Sequence, residues 1–177
     1  VLLLSGCRIA GGEHITASGS AALRQQRGGE SIHYCLQAFD ADTGNPLWQA
    51  EHPTKLEVRG GHGEYNQHPN LLGGTAYVWP YAYDLLTGKR HEDWTFDRHG
   101  HGCGLVSASA HCIFWRGNNP WMHDLRQGGA PVRLNQVTRP GCFINVIPAG
   151  GLIMIPEASS GCVCGYPMQT SMAFGSW

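Results

Sequence analysis

The stretch Ala38-Phe39-Asp40-Ala41-Asp42-Thr43-Gly44-Asn45-Pro46-Leu47-Trp48 decides the fold, because it joins a strand, a tight turn and the start of a second strand. Over residues 34–38, apolar side chains alternate with polar or smaller ones, which is the period of a half-buried strand. Asp42-Thr43-Gly44 is typical of a turn, because aspartate bonds its own backbone and glycine accepts a positive φ. Leu47 and Trp48 return the chain to an apolar layer, so the stretch predicts a β-hairpin.

Two weaker copies of this turn follow, at residues 83–88 and 123–128. The turn glycines Gly44, Gly88 and Gly128 are separated by 44 and 40 residues. A repeat of about 40–45 residues is the length of one four-stranded blade of a β-propeller. The sequence therefore predicts an all-β repeat protein.

Three apolar hairpins give a second marker with a similar period. Trp79 and Trp115 close the first two and are 36 residues apart, and Ile155 closes the third after a further 40 residues. Two series with one period make a chance repeat improbable. The predicted pairs are 70–72 with 76–79, 104–106 with 112–115, and 143–147 with 152–155.

The unit around Trp48 resembles the Ala-x-Asp-x-x-Thr-Gly-x-x-x-Trp repeat of the pyrroloquinoline-quinone-like (PQQ-like) propeller family. This resemblance implies that residues 1–177 form part of a β-propeller, with about four blade-sized, four-stranded antiparallel units and further blades on the N-terminal side. It also implies structural roles for Asp40, Thr43 and Gly44, whose turn would hold Trp48 between neighbouring blades.

Alternating ligands in residues 99–104 form the first candidate metal site. His99, His101 and Cys103 are separated by glycines, and alternate side chains of an extended segment project to one face. Imidazole and thiolate together suit zinc or copper. The alternative is a glycine-rich strand entry in which Cys103 forms a disulfide.

Further cysteines could complete such a site. Cys162 and Cys164 project to one side of a strand, and Cys142 lies upstream of them. With Cys103 they make either four metal ligands or two disulfides, for which three connectivities exist. The spacing of residues 99–166 also resembles the end of planctomycete-type PQQ-binding-like propeller proteins, which strengthens the expected fold but implies little about function.

Composition restricts the compartment and the partners. Seven cysteines in 177 residues favour an oxidising, periplasmic or secreted location. A net charge of −1 without a basic run argues against nucleic acid as a partner. No apolar run reaches the length of a transmembrane helix.

Leu4-Ser5-Gly6-Cys7 matches a lipoprotein cleavage box with Cys7 as the lipidated residue, but a core strand is the preferred interpretation, since no basic segment precedes it.

Two polar stretches are predicted as loops, at residues 8–30 and 49–69. The second contains His52, His62 and His68, together with Glu64. These residues lack the His-Glu-x-x-His register of a helical zinc site, so they are interpreted as surface histidines.

Two functions fit this sequence. The first is a non-catalytic propeller module that binds a partner protein or small-molecule ligand in the bacterial envelope. The second is a quinoprotein-like, PQQ-dependent oxidoreductase with calcium, whose site would be completed by residues outside this chain. The resemblance implies an adjacent Cys-Cys pair and calcium ligands for the oxidoreductase, and neither can be assigned here. The first function is therefore preferred.

Overall fold

The fold was analysed in a computed structural model, which describes residues 1–9, 14–15, 32–53, 68–96, 98, 102, 104–141, 144–156 and 170–175. The regular elements within these ranges are all β-strands, so the predicted all-β class is confirmed. The strands are β1 (Leu2–Ile9), β2 (His14–Ile15), β3 (Ile32–Phe39), β4 (Pro46–Pro53), β5 (Asn70–Leu72), β6 (Thr75–Val78), β7 (Tyr81–Asp84), β8 (Ser107–Ala108), β9 (Cys112–Gly117), β10 (Asn119–Asp124), β11 (Val132–Arg133), β12 (Ile147–Ala149), β13 (Leu152–Ile155) and β14 (Met172–Gly175).

The strands form four small antiparallel sheets, each built from consecutive strands. The first sheet has the order β2-β1-β3-β4, the second β5-β6-β7, the third β11-β10-β9-β8 and the fourth β12-β13-β14. Four units were expected, but among the described residues only the first and third sheets contain four strands. Within the same residues, no helix is long and apolar enough to cross a lipid bilayer.

Three aspartates close three equivalent turns. The Asp40 carboxylate accepts hydrogen bonds from the Thr43 backbone N–H and from the Thr43 hydroxyl, both at 2.8 Å. Asp84 repeats both bonds with Thr87 at the same distances. At Asp124 the third copy has glutamine in place of threonine, so its carboxylate receives backbone N–H groups without the hydroxyl. In each copy a glycine with positive φ, as predicted for these turns, ends the turn.

Neighbouring sheets share two apolar clusters. The first joins the first and second sheets, and Tyr34, Leu36 and Val78 are buried at its centre. The second joins the second and third sheets around Ile113 and Trp115. Each cluster contains residues of two sheets that are consecutive in the chain. Consecutive sheets therefore pack against each other.

Two predicted hairpins start later than expected. The segment 104–106 is not a strand, because its carbonyl groups bond to other sheets: that of Val106 accepts the Asn70 side chain at 3.2 Å, and that of Leu105 accepts the Asn145 side chain at 3.1 Å. The pairing strand is β8 instead. Similarly, the described part of 143–147 becomes a strand only at Ile147, since the Val146 carbonyl accepts the Ser107 hydroxyl at 2.7 Å.

Candidate functional site

Trp48 lies at the junction of the first two sheets. Its indole N–H donates to the carbonyl of Leu85 at 3.0 Å, and its ring lies against Gly88. A Cβ on Gly88 would be 2.5 Å from the ring atom Cδ2. The indole thus rests on the Asp84 turn of the next sheet, while the Asp40 turn lies immediately before its own strand.

Each sheet turns one face towards the preceding sheet and the other towards the following sheet. In the second sheet, Ala76 and Tyr83 pack on the first sheet, whereas Tyr77 packs on the third. In the third sheet, Ile113 packs on the second sheet. The Phe114 side chain projects from the opposite face of the same strand and lines a groove shared with the fourth sheet. The sheets are therefore stacked with one polarity, and we refer to preceding-side and following-side faces.

Cross-strand register identifies equivalent positions on the preceding-side faces. In each of the first three sheets, the residue directly before the turn aspartate pairs with an apolar residue on the neighbouring strand. The three pairs are Leu2 with Phe39, Ala76 with Tyr83, and Ile113 with His123. In the second and third sheets this position is buried between sheets, whereas Leu2 of the first sheet is 53% exposed.

Among the described residues, none covers the preceding-side face of the first sheet, and we call this apolar surface the first end face. It comprises Leu2, Leu4, Gln37, Phe39, Leu47 and Gln49. A groove with a volume of about 340 Å³ runs along its β3–β4 part, between Gln37 and Gln49. Contiguous exposed apolar surface of this kind is typical of interaction sites.

The following-side face of the fourth sheet is likewise not covered by any of the described residues, and we call it the second end face. Its residues are Ile147, Ala149, Leu152, Met154 and Ala173, joined by the register of β12, β13 and β14. Leu152 is 43% exposed, whereas Ile155 on the opposite side of the same strand is buried. A continuous apolar run such as 152–155 is typical of a strand covered on both faces, but in the described residues only one face is covered.

His52 is the main polar residue that the sequence prediction misplaced. It was interpreted as a surface residue of the 49–69 loop, but β4 continues to Pro53 and the His52 side chain is only 3% exposed. Its Nδ1 atom lies 2.7 Å from the Tyr83 hydroxyl, and its ring stacks between Tyr34 and Tyr83. Burial lowers the pKa of His52 to about 4, and burial raises the pKa of Tyr83 to about 12. His52 therefore stays neutral at physiological pH.

The other loop residues have different positions. His68 is exposed, and His62 and Glu64 lie outside the described residues. The alternation of Tyr34, Leu36 and Ala38 on β3 could have indicated the buried position of His52, because His52 pairs with Tyr34 across the first sheet.

The predicted metal ligands His99, His101, Cys103, Cys142, Cys162 and Cys164 all lie outside the described residues. In the part of the chain that is described, no group of three or more metal-binding side chains occurs. Of the remaining cysteines, Cys112 carries a free thiol, and the Cys35 thiol donates to the Glu51 carboxylate at 3.6 Å.

The chain on both sides of the predicted ligands reaches one end of the β9–β10 hairpin. Gly102 packs so closely on the backbone of Arg116 that a Cβ would overlap the Arg116 carbonyl oxygen. Asn119 donates its side-chain amide to the carbonyl of Thr138 at 3.1 Å, four residues before Cys142. Arg116 and Asn119 flank the turn of this hairpin, so it is the neighbour common to both segments.

Thiol titration and metal analysis distinguish the two interpretations of the cysteines. If Cys103, Cys142, Cys162 and Cys164 form two disulfides, denatured protein has three thiols, contributed by the remaining cysteines of the seven. This is the expected result, with neither zinc nor copper in the purified protein. Seven thiols together with about one zinc ion per chain would contradict it and support the metal site.

No family model matches this sequence, and no curated protein matches it.

Proposed function

We propose that the chain is a non-catalytic, PQQ-like propeller module of the bacterial envelope, and that its end faces bind a protein partner. The observation that carries the proposal is the uniform polarity of stacking. The two junctions between the first three sheets use equivalent positions of the second and third sheets, and such repetition is expected of propeller blades. On the first sheet, Leu2 and Leu4 at these positions are 53% and 51% exposed.

The chemistry of the first end face supports a protein partner. Its exposed apolar residues are leucines beside the two glutamines, and the groove beside Leu47 and Trp48 is mainly apolar. A volume of about 340 Å³ suits a few side chains of a partner. Apolar cores with polar rims are typical of protein interfaces. The polar pair His33–Glu51, with Nδ1 and Oε2 3.8 Å apart, lies at the far end of the face and suits such a rim.

A fluorescent dye that binds apolar protein surface tests the binding surface. At sub-micromolar protein concentration, 1-anilinonaphthalene-8-sulfonate is expected to bind the folded chain, and Leu47→Glu should remove most of the signal. Leu86→Glu is the matched control, because Leu86 is 69% exposed but lies in the Asp84 turn, away from both end faces. Equal signals from both variants would contradict the proposal.

Incubation with PQQ and calcium should give no dye-coupled oxidation of alcohols or aldoses, and turnover would exclude a purely binding role.

A further inference from the structure

We infer that the groove between the third and fourth sheets binds a neutral, planar aromatic small molecule of about the size of indole. This groove has a volume of about 370 Å³ and lies between the β9–β10 hairpin and the β12–β13 hairpin. It is formed by two sheets of the same chain, and it shares only Ala149 and Leu152 with the second end face. The inference goes beyond the proposed function and does not depend on it.

An indole lies in each of the two preceding junctions between sheets. In the first junction it belongs to Trp48, which pairs with Ala38, two residues before the turn aspartate. In the second junction it belongs to Trp94, whose ring centroid lies 5.0 Å from that of Tyr77 and 6.2 Å from that of His123. The repeat thus places an aromatic ring between consecutive sheets.

The third sheet lacks this aromatic side chain. Met122 stands two residues before its turn aspartate and pairs with Val132 on β11. Val132 is therefore the register equivalent of Trp48, and it is 50% exposed. The sequence contains no phenylalanine, tyrosine or tryptophan between Trp121 and Phe143. The third junction consequently has no indole at the position that supplies one to the first junction.

The groove has the same place in its junction as the Trp48 indole has in the first. That indole donates to the Leu85 carbonyl, and the Leu85 N–H donates to the carbonyl of Gly74 in the β5–β6 turn. The corresponding turn of the fourth sheet, Gly150-Gly151, lines the groove, and Met122 lines it from the third sheet. A ring bound here would therefore contact both sheets, as the indole of Trp48 does.

The lining of the groove favours a neutral aromatic ligand. None of the described residues that line it is acidic or basic, so a charged ligand would lose its hydration without gaining a counter-charge. Phe114 and Met122 pair across the third sheet and offer a ring contact and a sulfur–aromatic contact. Burial raises the pKa of the Cys112 thiol, which therefore stays protonated at neutral pH. The Ser109 oxygen accepts the Cys112 N–H at 3.2 Å, so its hydroxyl proton can bind a polar atom of the ligand.

Two hydrogen bonds fix the distance between the walls of the groove. The Ser107 hydroxyl donates to the Val146 carbonyl at 2.7 Å, and the Asn145 side chain donates to the Leu105 carbonyl at 3.1 Å. Both bonds join the third and fourth sheets near the starts of β8 and β12, so the groove is preformed. Small-molecule sites are usually preformed and range from about 300 to 1,000 Å³. The volume of this groove is near the lower limit, which suits a small ring system.

Isothermal titration calorimetry with indole as the probe tests the inference. The wild-type chain is expected to bind indole with a dissociation constant below about 1 mM. The anionic analogue indole-3-carboxylate should bind at least about tenfold more weakly, because its charge would be desolvated. Val132→Trp supplies an indole from the chain itself and should abolish binding. Val137→Trp is the matched control with unchanged binding, because Val137 is similarly exposed, at 51%, but does not line the groove.

Labelling of cysteines with N-ethylmaleimide, followed by peptide mass spectrometry, locates the bound indole on the wild-type chain. Saturating indole should slow the labelling of Cys112, which lines the groove, and leave that of Cys35 on the first sheet unchanged. Circular dichroism should show that both tryptophan variants are folded. A wild-type chain that binds no indole, undiminished binding by folded Val132→Trp, or an unchanged labelling rate of Cys112 would overturn the inference.

Discussion

Replacing Gly88 with alanine is expected to destabilise the protein by about 2–5 kcal/mol, whereas Gly44→Ala should cost only about 1–2 kcal/mol. The two glycines have the same role in equivalent turns, with φ of 69° and 72°. The cost of a positive φ is therefore shared. A Cβ on Gly44 meets no atom within 4 Å, but a Cβ on Gly88 would lie 2.5 Å from the indole of Trp48. The additional loss at Gly88 measures the overlap between the first and second sheets.

Urea denaturation of both variants measures this difference, and a double-mutant cycle assigns it to Trp48. Trp48→Ala alone should cost about 3 kcal/mol, through lost packing and the lost bond to the Leu85 carbonyl. In the combined variant the overlap is absent, so the two losses should sum to more than the loss of the double variant. Strict additivity, or equal losses for the two glycine variants, would contradict a contact between this turn and the indole.

The turn that governs this contact was predictable from the sequence because its chemistry is local. Asp40 and Thr43 are three residues apart, and their hydrogen bonds require no other part of the chain. Local chemistry pointed to Asp42 as the acceptor, but the accepting carboxylate is that of Asp40, and the Asp42 backbone N–H also donates to it. The period of the repeat was predictable for the same reason. A further turn of this type was missed: the Asn135 side chain accepts from the Thr138 backbone and hydroxyl, both at 2.8 Å. It lacks the following glycine by which the other turns were recognised.

Features that depend on contacts between sheets were not predictable. The alternation of residues in β1 could not show which face is covered, because leucines occupy both faces in the run Leu2–Leu4. Similarly, the strand boundaries at 104–106 and 143–147 were wrong, since their backbone groups bond to other sheets. The two end faces therefore become visible only when the register and the stacking are known together.

His52 is expected to make the fold sensitive to mild acid. The unfolded chain binds a proton at this histidine near pH 6.5, whereas burial lowers the pKa of the folded residue to about 4. Between pH 6.5 and pH 4, His52 therefore binds a proton when the chain unfolds. The free energy of unfolding decreases as the pH falls from 6.5 towards 4. The difference in pKa corresponds to about 3 kcal/mol. At neutral pH both states are uncharged at His52, and this contribution is absent.

The variant His52→Gln tests this expectation, because glutamine does not titrate but can still hydrogen-bond the Tyr83 hydroxyl. Urea denaturation at pH 7 and at pH 4.5 should show a smaller loss in His52→Gln than in the wild type, by about 2–3 kcal/mol. His91→Gln is the matched control, because His91 is exposed, and its loss should equal that of the wild type.

The remaining acid-sensitive groups do not obscure this comparison. His123 has its pKa lowered by burial and acts in the same direction, but it is present in all three proteins. The turn aspartates Asp40, Asp84 and Asp124 have pKa values lowered mainly by hydrogen bonds within their turns, so their contribution is lost only below the ordinary aspartate range. An unchanged loss in His52→Gln would show that His52 takes up its proton in the folded state as readily as in the unfolded chain. The aromatic stack between the first two sheets would then be open to water.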